Sequence, residues 1–448
     1  MGKCFVKVRE DHEIVELEKQ SEDEFCICSE MTGSDRKTIT TTALRRRIEP
    51  WLTALFQSEH LSLLVGSGFS SAIQSLSNAP LINAMTNENM FSCYKDEIYG
   101  HAINSAEKAG RKKSNIEDVF RSANDLIQGL SVISQSESFA EFKTKYEILK
   151  EEYNIGLKVF AEQILGIENS IMNSSEELRV NAFNYAVLFL LSFASRTGTR
   201  DRLNIFSTNY DRVIESVADI AGLRLMDRFV GSLSPIFRSS RLDLDYIYNP
   251  PGMRGEPRFL EGVARFTKLH GSLDWVEEDR EIRRLSIPFG VSNIDPFLFN
   301  KTEYSKVMIF PNSSKDRETS EYPYVELFRD FAAALCRPNS TIVTYGYSFG
   351  DDHVNRVIRD MLTIPSTHLV IINYNDESGR IMDLYNNWGR KSQTSLIIGE
   401  DIASLDAVVN YCLPKPAIDR TTLRMNRIIQ QRLDSSEDQS FDSEEDTN

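Results

Sequence analysis

The stretch Leu61-Ser62-Leu63-Leu64-Val65-Gly66-Ser67-Gly68-Phe69-Ser70 joins a mostly apolar run to a glycine-rich turn. Leu61 to Val65 has the composition of a buried strand, and Phe69 to Leu76 that of a short helix. Glycine permits a tight turn between such elements, and a helix N-terminus offers free N–H groups to an anion. The stretch therefore predicts a strand–turn–helix unit that holds a phosphate. A plain tight turn is the alternative, because Ser71 breaks the full G-x-G-x-x-G pattern.

Strand and helix patterns alternate again after about residue 200. The predicted strands are Leu61–Val65, Leu203–Ser207, Phe266–Leu269, Val307–Phe310, Thr341–Tyr345, His368–Ile372 and Ser395–Ile398. Several are continuous apolar runs, which is typical of strands buried on both faces of a parallel sheet. Between about residues 84 and 200 the apolar spacing is helical. These patterns predict an α/β fold, a doubly wound, Rossmann-like parallel sheet with a large helical insertion.

Length and charge indicate how the chain is divided. We expect an N-terminal arm (1–42) that forms either a short strand pair or an extension docked on a neighbour, a Rossmann-like domain (43–433, with the insertion at about 84–200) and an acidic tail (434–448). The tail has seven acidic residues and no basic ones, so we expect it to be disordered. With a net charge of −15 the protein is a poor candidate for direct sequence-specific nucleic-acid binding.

The six cysteines are scattered and include no C-x-x-C pair, so we expect reduced thiols and no metal site. Lys and Glu interrupt the first twenty residues, which argues against a signal peptide. The longest apolar run, Tyr185 to Ala194, is too short to cross a bilayer. We therefore expect a cytoplasmic protein with no membrane partner.

Two polar motifs follow predicted strands. Thr208-Asn209-Tyr210-Asp211 lies between a predicted strand and a predicted helix, and His270 lies one residue after another predicted strand. Ligands of open parallel sheets bind outside such strand ends, and a neutral imidazole is suited to general-base work. Asn209 and Asp211 are also favoured helix caps, and a single histidine is often structural, so both motifs keep a structural alternative.

The segment Gly346-Tyr347-Ser348-Phe349-Gly350 matches G-x-S-x-G in a strand–turn–helix context. This is the pattern of a hydrolase nucleophile elbow, whose fold requires an acid and then a histidine later in the chain. His353 and His368 are the histidines that follow Ser348, and neither leaves room for that order. The positions of these histidines therefore disfavour a serine hydrolase, and we expect the segment to have another role.

Taken together these motifs resemble the sirtuin-like superfamily. Gly66 to Ser70 is similar to its glycine-rich loop, Asn209-Tyr210-Asp211 to its Asn-x-Asp motif and Leu269-His270-Gly271 to its catalytic histidine motif. Gly346 to Asp351 resembles the Gly-x-Ser segment near the cofactor, and Asn373 the residue that reaches the adenosine ribose. The resemblance runs from about residue 61 to 400 and implies that NAD+ is bound as substrate.

One difference from the protein-deacylating sirtuins indicates which branch of the superfamily the chain resembles. Protein-deacylating sirtuins carry two C-x-x-C pairs after the histidine, but only Cys336 and Cys412 follow His270. The missing zinc module and the helical insertion are similar to a bacterial antiphage-defence branch that hydrolyses NAD+. Some of its members work beside a HerA-type ATPase. The resemblance therefore implies that this chain either has such an ATPase as partner or assembles into a homo-oligomer.

The resemblance implies roles for single residues. Asn209 and His270 are the catalytic candidates. The remaining candidates are expected to bind the dinucleotide: Gly66, Gly68, Phe69, Ser70, Thr208, Asp211, Gly346, Ser348 and Asn373. The amides of residues 68–70 are expected to hold the diphosphate, and Asp211 the carboxamide. The implied activity is cleavage of NAD+ to nicotinamide and ADP-ribose. A non-catalytic NAD+ or ADP-ribose sensor, and a deacylase or ADP-ribosyltransferase, remain as alternatives.

Overall fold

The computed structural model describes residues 3–8, 11–28, 37–82, 84, 90–108, 113–135, 140–196, 200–248, 258–297, 322–376 and 378–415. The predicted strand Val307–Phe310 and the predicted acidic tail 434–448 lie outside these residues.

Eleven strands of the described residues form one central sheet. In chain order they are β1 (Lys3–Lys7), β2 (Val15–Ser21), β3 (Glu24–Ile27), β4 (Thr38–Thr40), β5 (His60–Val65), β6 (Asn204–Ser207), β7 (Arg224–Met226), β12 (Val263–Lys268), β15 (Ser340–Tyr345), β16 (His368–Asn373) and β17 (Thr394–Ile398). Their order across the sheet is β4-β3-β2-β1-β17-β16-β15-β5-β6-β12-β7. The seven strands from β17 to β7 are parallel. The predicted doubly wound, Rossmann-like α/β fold is confirmed.

Six shorter strands lie beside the main sheet. They are β8 (Phe229–Val230), β9 (Ile236–Phe237), β10 (Ile247–Tyr248), β11 (Arg258–Phe259), β13 (Trp275–Glu278) and β14 (Glu281–Arg284). The order β13-β14-β9-β8 makes one small sheet, and β10 pairs with β11.

The helices cover both faces of the main sheet. They are α1 (Thr41–Phe56), α2 (Ser67–Leu76), α3 (Lys95–Lys108), α4 (Ile116–Ile133), α5 (Ala140–Met172), α6 (Glu176–Ala194), α7 (Val213–Ile220), α8 (Tyr324–Leu335), α9 (Asp352–Met361), α10 (Arg380–Asn387), α11 (Glu400–Ala403) and α12 (Leu405–Ala407). Leu63 faces the core under α1 and α6, whereas its neighbour Leu64 faces the core under α8 and α9. Strand residues of both orientations are buried, which explains the continuous apolar runs.

The first four strands continue the sheet at one side. β1 pairs antiparallel with β17, placing Phe5 opposite Ile398, and β2 to β4 follow as antiparallel neighbours. The segment expected as an arm therefore contributes strands to the main sheet, and the division of the chain at residue 42 stays a prediction.

The order of connections places a crevice between β5 and β15. The chain leaves β5 through helices α2 to α6 and builds β6, β7 and β12 on one side. It then crosses back to build β15, β16 and β17 on the other side. Neighbouring strands whose connections run in opposite directions leave an open crevice at their carboxyl ends, where ligands of such sheets bind. The candidate site lies there.

Candidate active site

Two loops meet backbone to backbone at the carboxyl ends of β5 and β15. The Gly68 N–H donates to the Gly346 carbonyl at 3.0 Å, and the Gly66 N–H donates to the Tyr345 carbonyl at 3.0 Å. A Cβ on Gly68 would lie 2.6 Å from the Gly346 Cα, and Gly346 has a φ of +61°. The close approach therefore requires glycine on both loops.

The amides of residues 68–70 were expected to hold the diphosphate, and some of them donate to carbonyl groups of the protein. Besides the Gly68 N–H, the Phe69 N–H donates to the Gly66 carbonyl at 3.1 Å. The Phe69 side chain is fully buried and packs on Phe189 in the core. Two of the three amides expected at the diphosphate thus donate within the protein.

Ser70, Asn209 and Asp211 form one buried hydrogen-bond network. The Ser70 hydroxyl donates to the Asp211 carboxylate at 2.9 Å, and the Asn209 Nδ2 donates to the Ser70 Oγ at 3.2 Å and to the Gly66 carbonyl at 3.1 Å. Burial raises the pKa of Asp211 above its ordinary value, while the Lys268 ammonium acts in the opposite direction. The network fixes the orientation of the Asn209 amide, because its Nδ2 donates to these protein groups.

Lys268 joins the loops after β6 and β12. Its Nζ donates to the carbonyl of Asp211 at 2.5 Å, to the Ser272 hydroxyl at 2.9 Å and to the Glu215 carboxylate at 3.0 Å. The side chain is buried, so these partners compensate for the loss of water. Lys268 therefore holds the Asn209–Asp211 loop against the loop of His270.

His270 lies between two carboxylates. Its Nε2 is 2.6 Å from Asp351 Oδ2, and its Nδ1 is 4.0 Å from Glu117 Oε1. Tyr210 completes the surroundings, since its hydroxyl donates to Glu117 Oε1 at 2.9 Å and its ring centroid lies 6.2 Å from that of the imidazole. The histidine is thus oriented on both sides by groups distant in sequence.

Asp351, at the start of α9, accepts hydrogen bonds from two different groups of partners. One oxygen, Oδ1, accepts the backbone N–H groups of His353 at 2.8 Å and Val354 at 3.3 Å as an N-cap. The other oxygen accepts from His270. Burial alone would raise the pKa of Asp351, but the hydrogen bond and charge of His270, aided by His353, hold that pKa below its ordinary value. Asp351 is therefore a fixed carboxylate.

The helical insertion forms one side of the site. Glu117 comes from the first turn of α4, which begins with a capping box between Asn115 and Asp118. From α5, the buried Glu168 accepts from the Arg212 guanidinium at 2.6 Å. These contacts couple the insertion to the loop that carries Asn209.

These groups surround a cavity of about 760 Å³, a size typical of a site for a nucleotide-sized ligand. The predicted residues that line it are Gly66, Ser70, Thr208, Asn209, Asp211, His270, Gly346 and Ser348. Gly68, Phe69 and Asn373 are outside its lining. Asn373 ends β16, and its Nδ2 donates to the Asn375 carbonyl at 2.6 Å.

The sequence analysis assigned no individual role to four residues of the site, which are Glu117, Tyr210, Lys268 and Asp351. Tyr210 and Asp351 lie within the Asn209–Asp211 and Gly346–Asp351 motifs. Asp351 directly follows the Gly346–Gly350 segment and has the composition of a helix cap, which is a usable local signal. Glu117 carries no such local signal, because its position on an amphipathic helix resembles that of an ordinary solvated residue.

One family model matches part of the chain. Residues 203–391 match the family described as SIR2-like domain, which supports the sirtuin-like superfamily for that part of the chain. The match includes Asn209, His270, Ser348 and Asn373 and leaves out the glycine-rich loop. A SIR2-like domain implies NAD binding, and such domains are commonly NAD-using enzymes. No curated protein matches the chain.

Within the described residues no group of three or more His, Cys, Asp and Glu side chains is placed to hold a metal ion. No helix in that part of the chain is long and apolar enough to cross a membrane.

Proposed function

We propose that this protein is an NAD+ glycohydrolase that releases nicotinamide and ADP-ribose. The observation that carries the proposal is the His270–Asp351 pair, which lines the same cavity as Asn209. The SIR2-like match supports NAD as the ligand. The lining also fits such a ligand, because it includes carboxylates, which would stabilise positive charge on the sugar, and basic side chains, which would attract phosphate.

The hydrogen bond to Asp351 assigns the histidine tautomer in this proposal. Asp351 is ionised and accepts from the His270 Nε2–H, and the proposal assigns the neutral imidazole, with its lone pair on Nδ1, as the form that acts as base. Nδ1 would accept a proton from water, and Asp351 would stabilise the resulting imidazolium. This arrangement is that of a base with its orienting carboxylate.

The reaction balances with water as the only co-substrate. The bond between the ribose C1′ and the nicotinamide nitrogen breaks, and its electron pair leaves with neutral nicotinamide. Water forms the new C1′–O bond and gives its proton to His270 Nδ1. The Asn209 Oδ1, whose amide is held through Nδ2, would orient that water or a ribose hydroxyl. Glu117 and Asp351 would favour the positive charge on the sugar.

The biological role in this proposal is antiphage defence by NAD+ depletion. The resemblance to the zinc-less defence branch supports it, as does the absence of a four-cysteine site in the sequence. Because uncontrolled hydrolysis would harm the host, we propose gating by a HerA-type ATPase or by assembly into a homo-oligomer. Light scattering of the purified protein, alone and with a co-encoded ATPase, tests the gate. A monomer that neither binds that ATPase nor changes rate with it would contradict the gate.

The deciding experiment measures NAD+ consumption and nicotinamide release by wild type, His270→Ala, Asn209→Ala and the control His12→Ala, whose histidine is exposed. We expect turnover to fall about 10²- to 10⁴-fold in the first two variants and to be unchanged in the control. ADP-ribose binding should persist in all. Wild-type binding of NAD+ without turnover, under every gating condition, would instead indicate a sensor. Turnover that depends on an acylated peptide would indicate a deacylase.

A further inference from the structure

Three basic side chains line the cavity: Lys113, Arg121 and Arg380. Arg121 forms an ion pair with Asp118 on its own helix, and Lys113 precedes the insertion helix α4. Arg380 alone of the three comes from the sheet's carboxyl edge, where it begins α10. Arg380 therefore comes from the same edge of the sheet as the loops that carry the proposed chemistry.

The guanidinium of Arg380 is oriented toward the Ser348–Gly350 segment. Its Nε donates to the Ser378 Oγ at 2.9 Å. A Cβ built on Gly350 would lie 2.9 Å from Arg380 Nη1 and 3.5 Å from Ser348 Oγ. The guanidinium and the Ser348 hydroxyl therefore flank Gly350, and its lack of a side chain leaves them room.

Two amides of the glycine loop donate within the protein, which favours a further partner for an anion in this cavity. The N–H groups of Gly68 and Phe69 donate to the carbonyls of Gly346 and Gly66. A planar guanidinium matches phosphate oxygens through paired N–H donors, and a hydroxyl adds one more.

We propose that Arg380, with Ser348, binds the diphosphate of the dinucleotide. This inference rests on the proposed function and deepens it, since it moves the diphosphate from the glycine loop to the opposite loop. Gly350 directly precedes Asp351, the partner of His270. Because a single methylene joins ribose to its 5′-phosphate, we expect a phosphate site to lie close to the groups that act on the ribose, and Asp351 joins this segment to His270.

The test compares Arg380→Gln and Arg380→Lys with Arg359→Gln, which removes an exposed arginine that does not line the cavity. Calorimetry gives affinities for ADP-ribose and for nicotinamide riboside, which lacks phosphate. We expect Arg380→Gln to weaken ADP-ribose binding about 10- to 100-fold. Arg380→Lys should lose less, and riboside binding should be unchanged. The KM for NAD+ should rise while kcat changes little.

Gly350→Ala is a second variant that leaves Arg380 in place. Its new Cβ would displace the guanidinium, so ADP-ribose binding should weaken while the helical content stays that of wild type. Wild-type ADP-ribose affinity in both Arg380→Gln and Gly350→Ala, with normal NAD+ hydrolysis, overturns the inference alone. Weakened binding in these variants, with a wild type that never hydrolyses NAD+, supports the inference and overturns the proposed function. A wild type that binds no ADP-ribose overturns both.

Discussion

The imidazole Nε2 of His270 lies 2.6 Å from the Oδ2 of Asp351, although 81 positions separate the two residues in the chain. One end of that contact follows β12, and the other caps α9. The pair spans the crevice between the two halves of the sheet.

Asp351→Asn removes the carboxylate charge but keeps a side chain that caps helices equally well. We expect kcat/KM for NAD+ to fall roughly 10²- to 10⁴-fold, because the imidazolium loses its partner and the tautomer is no longer specified. Asp360→Asn, on the exposed face of the same helix, is the control. Steady-state kinetics with thermal unfolding checks the prediction. Wild-type kinetics in Asp351→Asn would contradict it.

Glu117→Gln tests whether the insertion takes part in the chemistry. The amide oxygen of Gln still accepts from the Tyr210 hydroxyl, whereas the charge 4.0 Å from His270 Nδ1 is lost. We expect kcat to fall about fivefold, because a partly exposed charge pair contributes about 1 kcal/mol. Tyr210→Phe removes the hydrogen bond and keeps the charge, so it should reduce kcat less. Equal losses in the two variants would show that the charge has no separate effect.

Gly346→Ala should destabilise the fold by at least about 2 kcal/mol, because its φ of +61° and the nearby Gly68 backbone both oppose a side chain. Gly389→Ala is a matched control, since Gly389 has a φ of +65° but open space around its Cα. The control should lose only the conformational part, about 1 kcal/mol. Denaturant unfolding measures both. Equal losses would mean that the contact between the two glycine loops adds nothing to stability.

Acid should weaken the fold through His368. Burial, aided by the charge of Lys7, lowers the pKa of His368 from 6.5 to about 4, and its Nε2 lies 2.8 Å from the Ser395 Oγ. Between these pH values the unfolded chain takes up a proton that the folded protein refuses. Stability is therefore full above about pH 6.5 and declines as pH falls to about 4, by about 3 kcal/mol in total.

Unfolding midpoints of wild type and His368→Gln at pH 7 and pH 4.5 check this linkage. The variant should lose less stability on acidification than wild type, and His12→Gln, at an exposed position, should behave like wild type. An identical acid sensitivity in His368→Gln and wild type would rule out this histidine as a source.

Much of the fold and part of the site follow from local patterns. Continuous apolar runs such as Thr341–Tyr345 predict strands buried on both faces, and the structure has Ser340–Tyr345 in the middle of the sheet. Polar residues directly after such strands, Asn209 and His270 among them, were expected at the crevice and line its cavity. Local signals are sufficient here, because strand ends of one parallel sheet share an edge.

Only the tertiary structure decided which of these residues meet and what they meet. The pairing of His270 with Asp351, the approach of Glu117 from the insertion and the contact of Gly68 with Gly346 join segments far apart in the chain. No local period carries that information, because it depends on strand order and on how the insertion packs. For the same reason the sequence predicted a glycine-loop phosphate cradle, whereas in the fold the Gly68 N–H donates to Gly346 in the neighbouring loop and the Phe69 N–H donates to Gly66. The sequence determined the elements and the chemical groups at their ends, and the packing of distant elements determined the partners of those groups.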